Sequence, residues 1–155
     1  MRLMLGVAIA GLLLWGGIAA AEITNYQVVA LVEALRLAAP QGARSENGLY
    51  SDWKIKPANI PRWSRLCIEE ELTPEQFEAD YQKAREILVC VMDDVLRTEY
   101  PASGGDEAIA IRRAAAWWVA GDPNLYDSGD IRYYTNKVLG FYQELRAHPT
   151  DFFPH

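Results

Sequence analysis

Between Thr73 and Tyr100 the chain repeats apolar residues at steps of three and four: Phe77, Tyr81, Ala84, Leu88, Val91, Met92 and Val95. That period lays one apolar stripe along a helix and is incompatible with a strand, whose faces alternate every second residue. The start is marked as well. Thr73-Pro74-Glu75-Gln76 offers a capping hydroxyl, a proline at the first helical position and a glutamine to close a capping box. A helix of this length cannot leave its stripe in water, so other elements must cover it.

Three further segments carry the same period. Thr24 and Gln27 form a second capping box; Val28, Leu31, Val32, Leu35 and Ala39 follow at helical spacing, and Pro40 and Gly42 end the segment. Asp106 caps a third helix after the turn Ser103-Gly104-Gly105. From Ala108 to Ala120 that helix is apolar except for Arg112 and Arg113, a composition expected to be buried on most of its circumference. Gly121 and Pro123 stop it. A fourth helix opens near Ser128 or Asp130 and aligns Ile131, Tyr134, Val138, Phe141, Tyr142 and Leu145. No alternating strand pattern of useful length occurs. The expected fold is therefore mainly α, a compact helical domain around one buried helix. An irregular aromatic segment, residues 41–72, follows the first helix. It contains Gly48, Pro57 and Pro61 but also Tyr50, Trp53 and Trp63, too many aromatic rings for a disordered linker.

The N-terminus reads as a secretory signal peptide. Arg2 is followed by nineteen uncharged residues, with Leu12, Leu13, Leu14, Trp15 and Ile18 at their centre, and Ala19-Ala20-Ala21 offers a small-residue cleavage site before Glu22. The alternative is an uncleaved anchor. The expected organisation is a signal over residues 1–21 and one helical domain over residues 22–155. The mature chain is expected to be exported: periplasmic, lumenal or extracellular.

Export bears on the two cysteines. Cys67 and Cys90 both follow the signal, and an even count in an exported chain favours one disulfide over two free buried thiols. Cys90 points away from its helix's apolar stripe, so the bond would pin the aromatic segment to the other side of that helix. It would contribute about 3 kcal/mol through loop closure.

All 21 acidic residues but only 14 of the 15 basic ones lie after Ala21, leaving seven excess negative charges. No basic stripe stands out, which excludes nucleic acid as the expected partner and argues against docking on an anionic membrane. No membrane segment is expected after signal cleavage.

Three segments resemble the lysozyme-like domain of soluble lytic transglycosylases. Gly48-Leu49-Tyr50-Ser51-Asp52-Trp53-Lys54-Ile55-Lys56-Pro57-Ala58-Asn59-Ile60 is similar to that family's G-L-M-Q-I-x-P-x-T segment, with extra residues after the leucine. Ala115-Ala116-Trp117-Trp118-Val119-Ala120-Gly121-Asp122-Pro123 is similar to its A-A-Y-N-A-G-P. Tyr134-Thr135-Asn136-Lys137-Val138-Leu139-Gly140-Phe141-Tyr142 is similar to its Y-V-x-x-V-L-x-x-Y. The resemblance implies a groove for peptidoglycan glycan strands and a single glutamate acting first as acid and then as base. Glu33 fits that position, about twenty residues before the first motif, and is the sole acidic residue between Glu22 and Glu46. Its groove residues would be Tyr50, Trp53, Lys54, Trp118 and Tyr134. The departures are Ala34 for the serine after the glutamate, Lys54 for the motif glutamine and Val119 for the motif asparagine. They imply an altered substrate or lost catalysis. Without the resemblance, Glu33 reads as a helix-surface carboxylate paired with Arg36 at i+3.

Other constellations are structural on their face. Asp122, Asn124, Asp127 and Asp130 lack the spacing of a calcium loop and suit capping. Trp117-Trp118 suits a core as well as a sugar platform. The group Trp53, Pro57, Pro61, Arg62, Trp63 and Arg65 is either a binding surface or a lid that packs. His148 and His155 sit too far from the cysteines for a zinc site, and no phosphate-cradling loop occurs, so no metal or cofactor is expected. Two functions stand open: a peptidoglycan-cleaving enzyme using Glu33, or a non-catalytic exported helical protein that binds glycan or an envelope protein, as in a cell envelope or thylakoid lumen.

Overall fold

The computed structural model describes residues 22–40 and 48–149; the signal read over residues 1–21, and His155, lie outside them. The described chain is helical, with α1 Asn25–Ala38, α2 Asn59–Ile68, α3 Pro74–Ala79, α4 Tyr81–Ala102, α5 Glu107–Ala120 and α6 Gly129–Ala147; a 3-10 turn, Pro123–Asp127, links the last two.

Both predicted capping boxes form. In the first, Gln27 N–H donates to Thr24 Oγ1 at 3.3 Å and Thr24 N–H donates to Gln27 Oε1 at 2.7 Å. In the second, Gln76 N–H donates to Thr73 Oγ1 at 3.2 Å and Thr73 N–H donates to Gln76 Oε1 at 2.9 Å. The helix expected to run from Pro74 to Tyr100 is broken. Asp80 is extended (φ −119°, ψ 92°), and its side chain accepts from Lys83 N–H at 3.0 Å, capping a new helix. An aspartate offers the backbone this alternative to a continuous helix. Phe77 remains in the core with Ala84, Leu88, Met92 and Val95, whereas Tyr81, just past the break, is 44% exposed.

The aromatic segment is more regular than expected, because it holds α2. Pro61 does not disrupt that helix: it occupies the first turn, where a backbone N–H has no intrahelical acceptor. Glu69, left-handed at φ 56°, ends it. Ser64, fully buried, donates to Pro61 O and accepts from Leu72 N–H at 3.0 Å.

The most enclosed helix is α1 rather than α5. Nine of its fourteen residues are buried, against five of fourteen in α5. It packs against α4 and α6, and α5 packs between the same two. The alanines of α5 (Ala110, Ala114, Ala115) permit close helix approach, but its last turn carries two tryptophans that emerge from the core.

Cys67 and Cys90 form the expected disulfide, with Cα atoms 5.9 Å apart, joining α2 to α4. A disulfide is the chemistry of an oxidising compartment. Among the described residues no helix is long and apolar enough to cross a membrane.

Three of the four residues first weighed as a calcium loop act as staples. Asp122 caps the 3-10 turn through Asn124 N–H, Asp127 pairs with Arg112 at 2.6 Å, and Asn124 accepts from Arg113. Arg113 also pairs with the buried Glu99 at 2.7 Å. Arg112 holds the Asp127 carboxyl below its ordinary range.

Candidate functional site: a tryptophan-lined cleft

Residues 48–56 form a tight loop that brings the site together. Tyr50 and Ile55 exchange backbone hydrogen bonds at 2.9 and 2.8 Å, and Ser51 and Lys54 adopt left-handed conformations between them. The geometry turns Trp53 inward. Its ring is 1% exposed, its Nε1 donates to Val32 O on α1, and it stacks on Tyr81 with centroids 5.3 Å apart.

Beside this loop lies a cleft of about 570 Å³, within the range of small-ligand sites. Ala38, Ala39 and Pro40 bring the end of α1 to it, and Trp117 to Gly121 the end of α5. Leu49 and residues 53–56 come from the loop, Asn59, Arg62 and Trp63 from α2, and Tyr134 from α6. Trp63 stacks on both tryptophans of α5, at 6.5 Å to Trp117 and 5.9 Å to Trp118, with planes inclined by less than 30°. Trp63 is buried, while Trp117 and Trp118 are half-buried. Gly121, left-handed at φ 74°, stops α5 just beyond them. Tyr134 is half-buried, and loss of water pushes its phenol well above the ordinary value.

The polar content of the cleft is one-sided. Among the described residues, Lys54, Lys56 and Arg62 line it, and no carboxylate does. Arg62 Nη2 donates to Asn59 Oδ1 at 3.1 Å.

Of the residues singled out from sequence, Trp53, Lys54, Trp118 and Tyr134 line this cleft. Trp53 does so as buried support, its ring committed to the core. Tyr50 lies outside the lining: its hydroxyl donates to Glu75 Oε1 on α3 at 3.2 Å, a bond that raises its pKa. Glu33 lies outside the lining as well. It is buried at 9% exposure, and Arg36 donates to its Oε1 through Nε at 2.9 Å and again through Nη2. That carboxylate in turn raises the pKa of Arg36. Glu33 thus combines the burial sought in a catalytic acid with the i+3 ion pair of a structural residue. Its charge also reaches Tyr81, whose pKa is raised first by burial and then by Glu33.

Sequence reading missed Lys56 and Asn59 as site residues and left Arg62 and Trp63 undecided. The available signal was an apolar period through Ile60, Trp63 and Cys67, obscured by Pro57 and Pro61. No protein-family model, no curated protein and no solved structure matches the chain.

Proposed function

We propose that this is an exported protein of lysozyme-like ancestry that holds peptidoglycan-type glycan strands in the tryptophan cleft without cutting them. One observation carries the reading. The three segments that resemble the lytic transglycosylase domain, distant in sequence, all contribute to the same cleft: Leu49, Trp53 to Lys56 and Asn59 from the first, Trp117 to Gly121 from the second and Tyr134 from the third. Half-buried tryptophan faces suit the apolar faces of pyranose rings, and the surrounding polar groups suit their hydroxyls. The disulfide supports an oxidising compartment outside the cytoplasm.

The non-catalytic form of the reading is favoured because Glu33 stands outside the cleft lining and spends Oε1 on two guanidinium N–H groups. A general acid needs a proton within reach of the glycosidic oxygen. The alternative, a lytic transglycosylase using Glu33, draws support from that residue's burial on α1.

The test is co-sedimentation of the mature chain with purified peptidoglycan, combined with analysis of released fragments. Retention weakened about tenfold or more by Trp118→Ala, with no anhydro or reducing-end products, is the expected result. Fragment release that disappears in Glu33→Gln would restore the enzyme, and absence of retention would remove the glycan reading.

A further inference from the structure

Resting on the glycan reading above, we infer that the cleft selects a carboxylate-bearing saccharide, its acid held by Lys56 and Arg62 while a ring packs on Trp118. The argument begins with charge. The chain has 21 acidic and 15 basic residues, so a patch drawn at random would carry more carboxylates than cations. Among the described residues, the cleft lining carries Lys54, Lys56 and Arg62 and no carboxylate.

Ion pairing sharpens the contrast. Arg36, Arg65, Lys83, Arg97, Arg112, Arg113 and Arg146 each pair with an aspartate or glutamate. Among the described residues Lys56 and Arg62, both exposed, have no such partner; Arg85, Arg132 and Lys137 lack one too, but only Lys56 and Arg62 of these line the cleft. Arg62 is also oriented. Its bond to Asn59 Oδ1 uses one of five guanidinium N–H groups and fixes the plane, leaving donors for a bidentate carboxylate.

The other polar groups fit the hydroxyls of the same ligand. Helices α1 and α5 both end at the cleft, and a helix end leaves carbonyl oxygens without intrahelical donors. Lys137 Nζ already takes Ala38 O at 3.2 Å, and Gly121 N–H takes Trp117 O at 2.8 Å. The carbonyls of Trp118, Val119 and Ala120 come later in the last turn of α5, where they suit sugar hydroxyls as donors. These carbonyl ends disfavour an anion close by. The acid is therefore assigned to the part of the cleft formed by the loop and the start of α2, where Lys56 and Arg62 stand. Acceptors on one set of elements and cations on another match a polyol that also carries an acid. A neutral chitin-like chain would leave Lys56 and Arg62 unused.

The probes are peptide-free glycan strands that retain their lactyl carboxylates, the same strands with those carboxylates amidated, oligogalacturonate, and neutral chito-oligosaccharide. Binding of the mature chain is followed by calorimetry at low and high salt. The expected result is a preference of about tenfold or more for native over amidated strands, shrinking as salt rises. In the double variant Lys56→Gln/Arg62→Gln that preference falls below about threefold. Arg65→Gln, on the same helix but paired with Glu71 outside the lining, leaves it intact. Oligogalacturonate binding comparable to native strands supports recognition of the carboxylate itself, whichever part of the sugar bears it. Equal affinity for native and amidated strands overturns the inference while leaving the glycan reading standing. So does a preference that survives the double variant. Failure of every saccharide to bind removes both.

Discussion

Trp53 Nε1 donates to the carbonyl oxygen of Val32 at 2.8 Å across 21 residues of sequence, one position before Glu33. The bond fastens the loop that forms part of the cleft to the most enclosed helix of the fold. Because Val32 lies within α1, the indole uses the second lone pair of an oxygen in the helical ladder, satisfying a buried donor without disturbing the helix.

Removing that anchor should be costly. Trp53→Ala is expected to destabilise the chain by about 3–5 kcal/mol through cavity formation. Trp53→Phe keeps most of the apolar volume but leaves Val32 without the indole, a loss of about 1 kcal/mol for the hydrogen bond alone. Urea unfolding followed by far-UV circular dichroism measures both, and a near-neutral Trp53→Ala would contradict the packing described.

The Glu99–Arg113 pair joins α4 to α5 with both side chains largely buried, at 8% and 15% exposure. Truncating one partner strands the other, so Glu99→Ala should cost about 3–5 kcal/mol. Replacing both by apolar residues of similar size should cost much less than the two single changes added. A double-mutant cycle on unfolding free energies reads this directly.

Reduction of Cys67–Cys90 should lower stability by about 3 kcal/mol, because a loop closed over 23 residues regains its freedom when unfolded. The folded, oxidised chain should show no titratable thiol, and the Cys67→Ser/Cys90→Ser double variant should unfold at correspondingly lower urea. The wall of the cleft on α2 should loosen with it, since Asn59, Arg62 and Trp63 share the helix that the bond ties to α4.

Alkaline pH should unfold the chain through its buried phenols. Burial raises the pKa of Tyr134, and burial followed by the Glu107 hydrogen bond raises that of Tyr142. Folding thus favours both neutral phenols. Their contribution is complete below the unfolded tyrosine value of 10.0 and is lost as pH climbs above it. Ultraviolet titration of the eight tyrosines should therefore leave part of the phenolate signal unmade until unfolding. Tyr142→Phe should reduce the stability lost between neutral and alkaline pH. Ionisation of all eight near pH 10 in the folded chain would contradict this.

The local features legible from sequence were those whose physics is local. Thr24, Thr73, Asp106 and Gly121 mark helix ends because caps and left-handed stops depend on a few neighbouring atoms. The break at Asp80 and the helix through Pro61 were missed for the opposite reason. In each, local chemistry permits two backbone paths, and packing chooses between them. The apolar run of α5 suggested the central helix, yet α1 is the more enclosed, because enclosure depends on how many neighbours arrive and not on one helix's composition.

The sequence by itself determined a mainly helical chain and several helix ends, and favoured the pairing of its two cysteines, since each follows from periodicity, caps or a count. The tertiary structure alone decided the cleft. Trp63 and Trp118 are 55 positions apart, and nothing local brings them within 5.9 Å. It likewise separated residues that had read as one site, taking Trp118 and Tyr134 into the cleft lining and leaving Glu33 and Tyr50 outside it. Which side chains share a cavity depends on how whole helices cross, and that depends on the entire core at once.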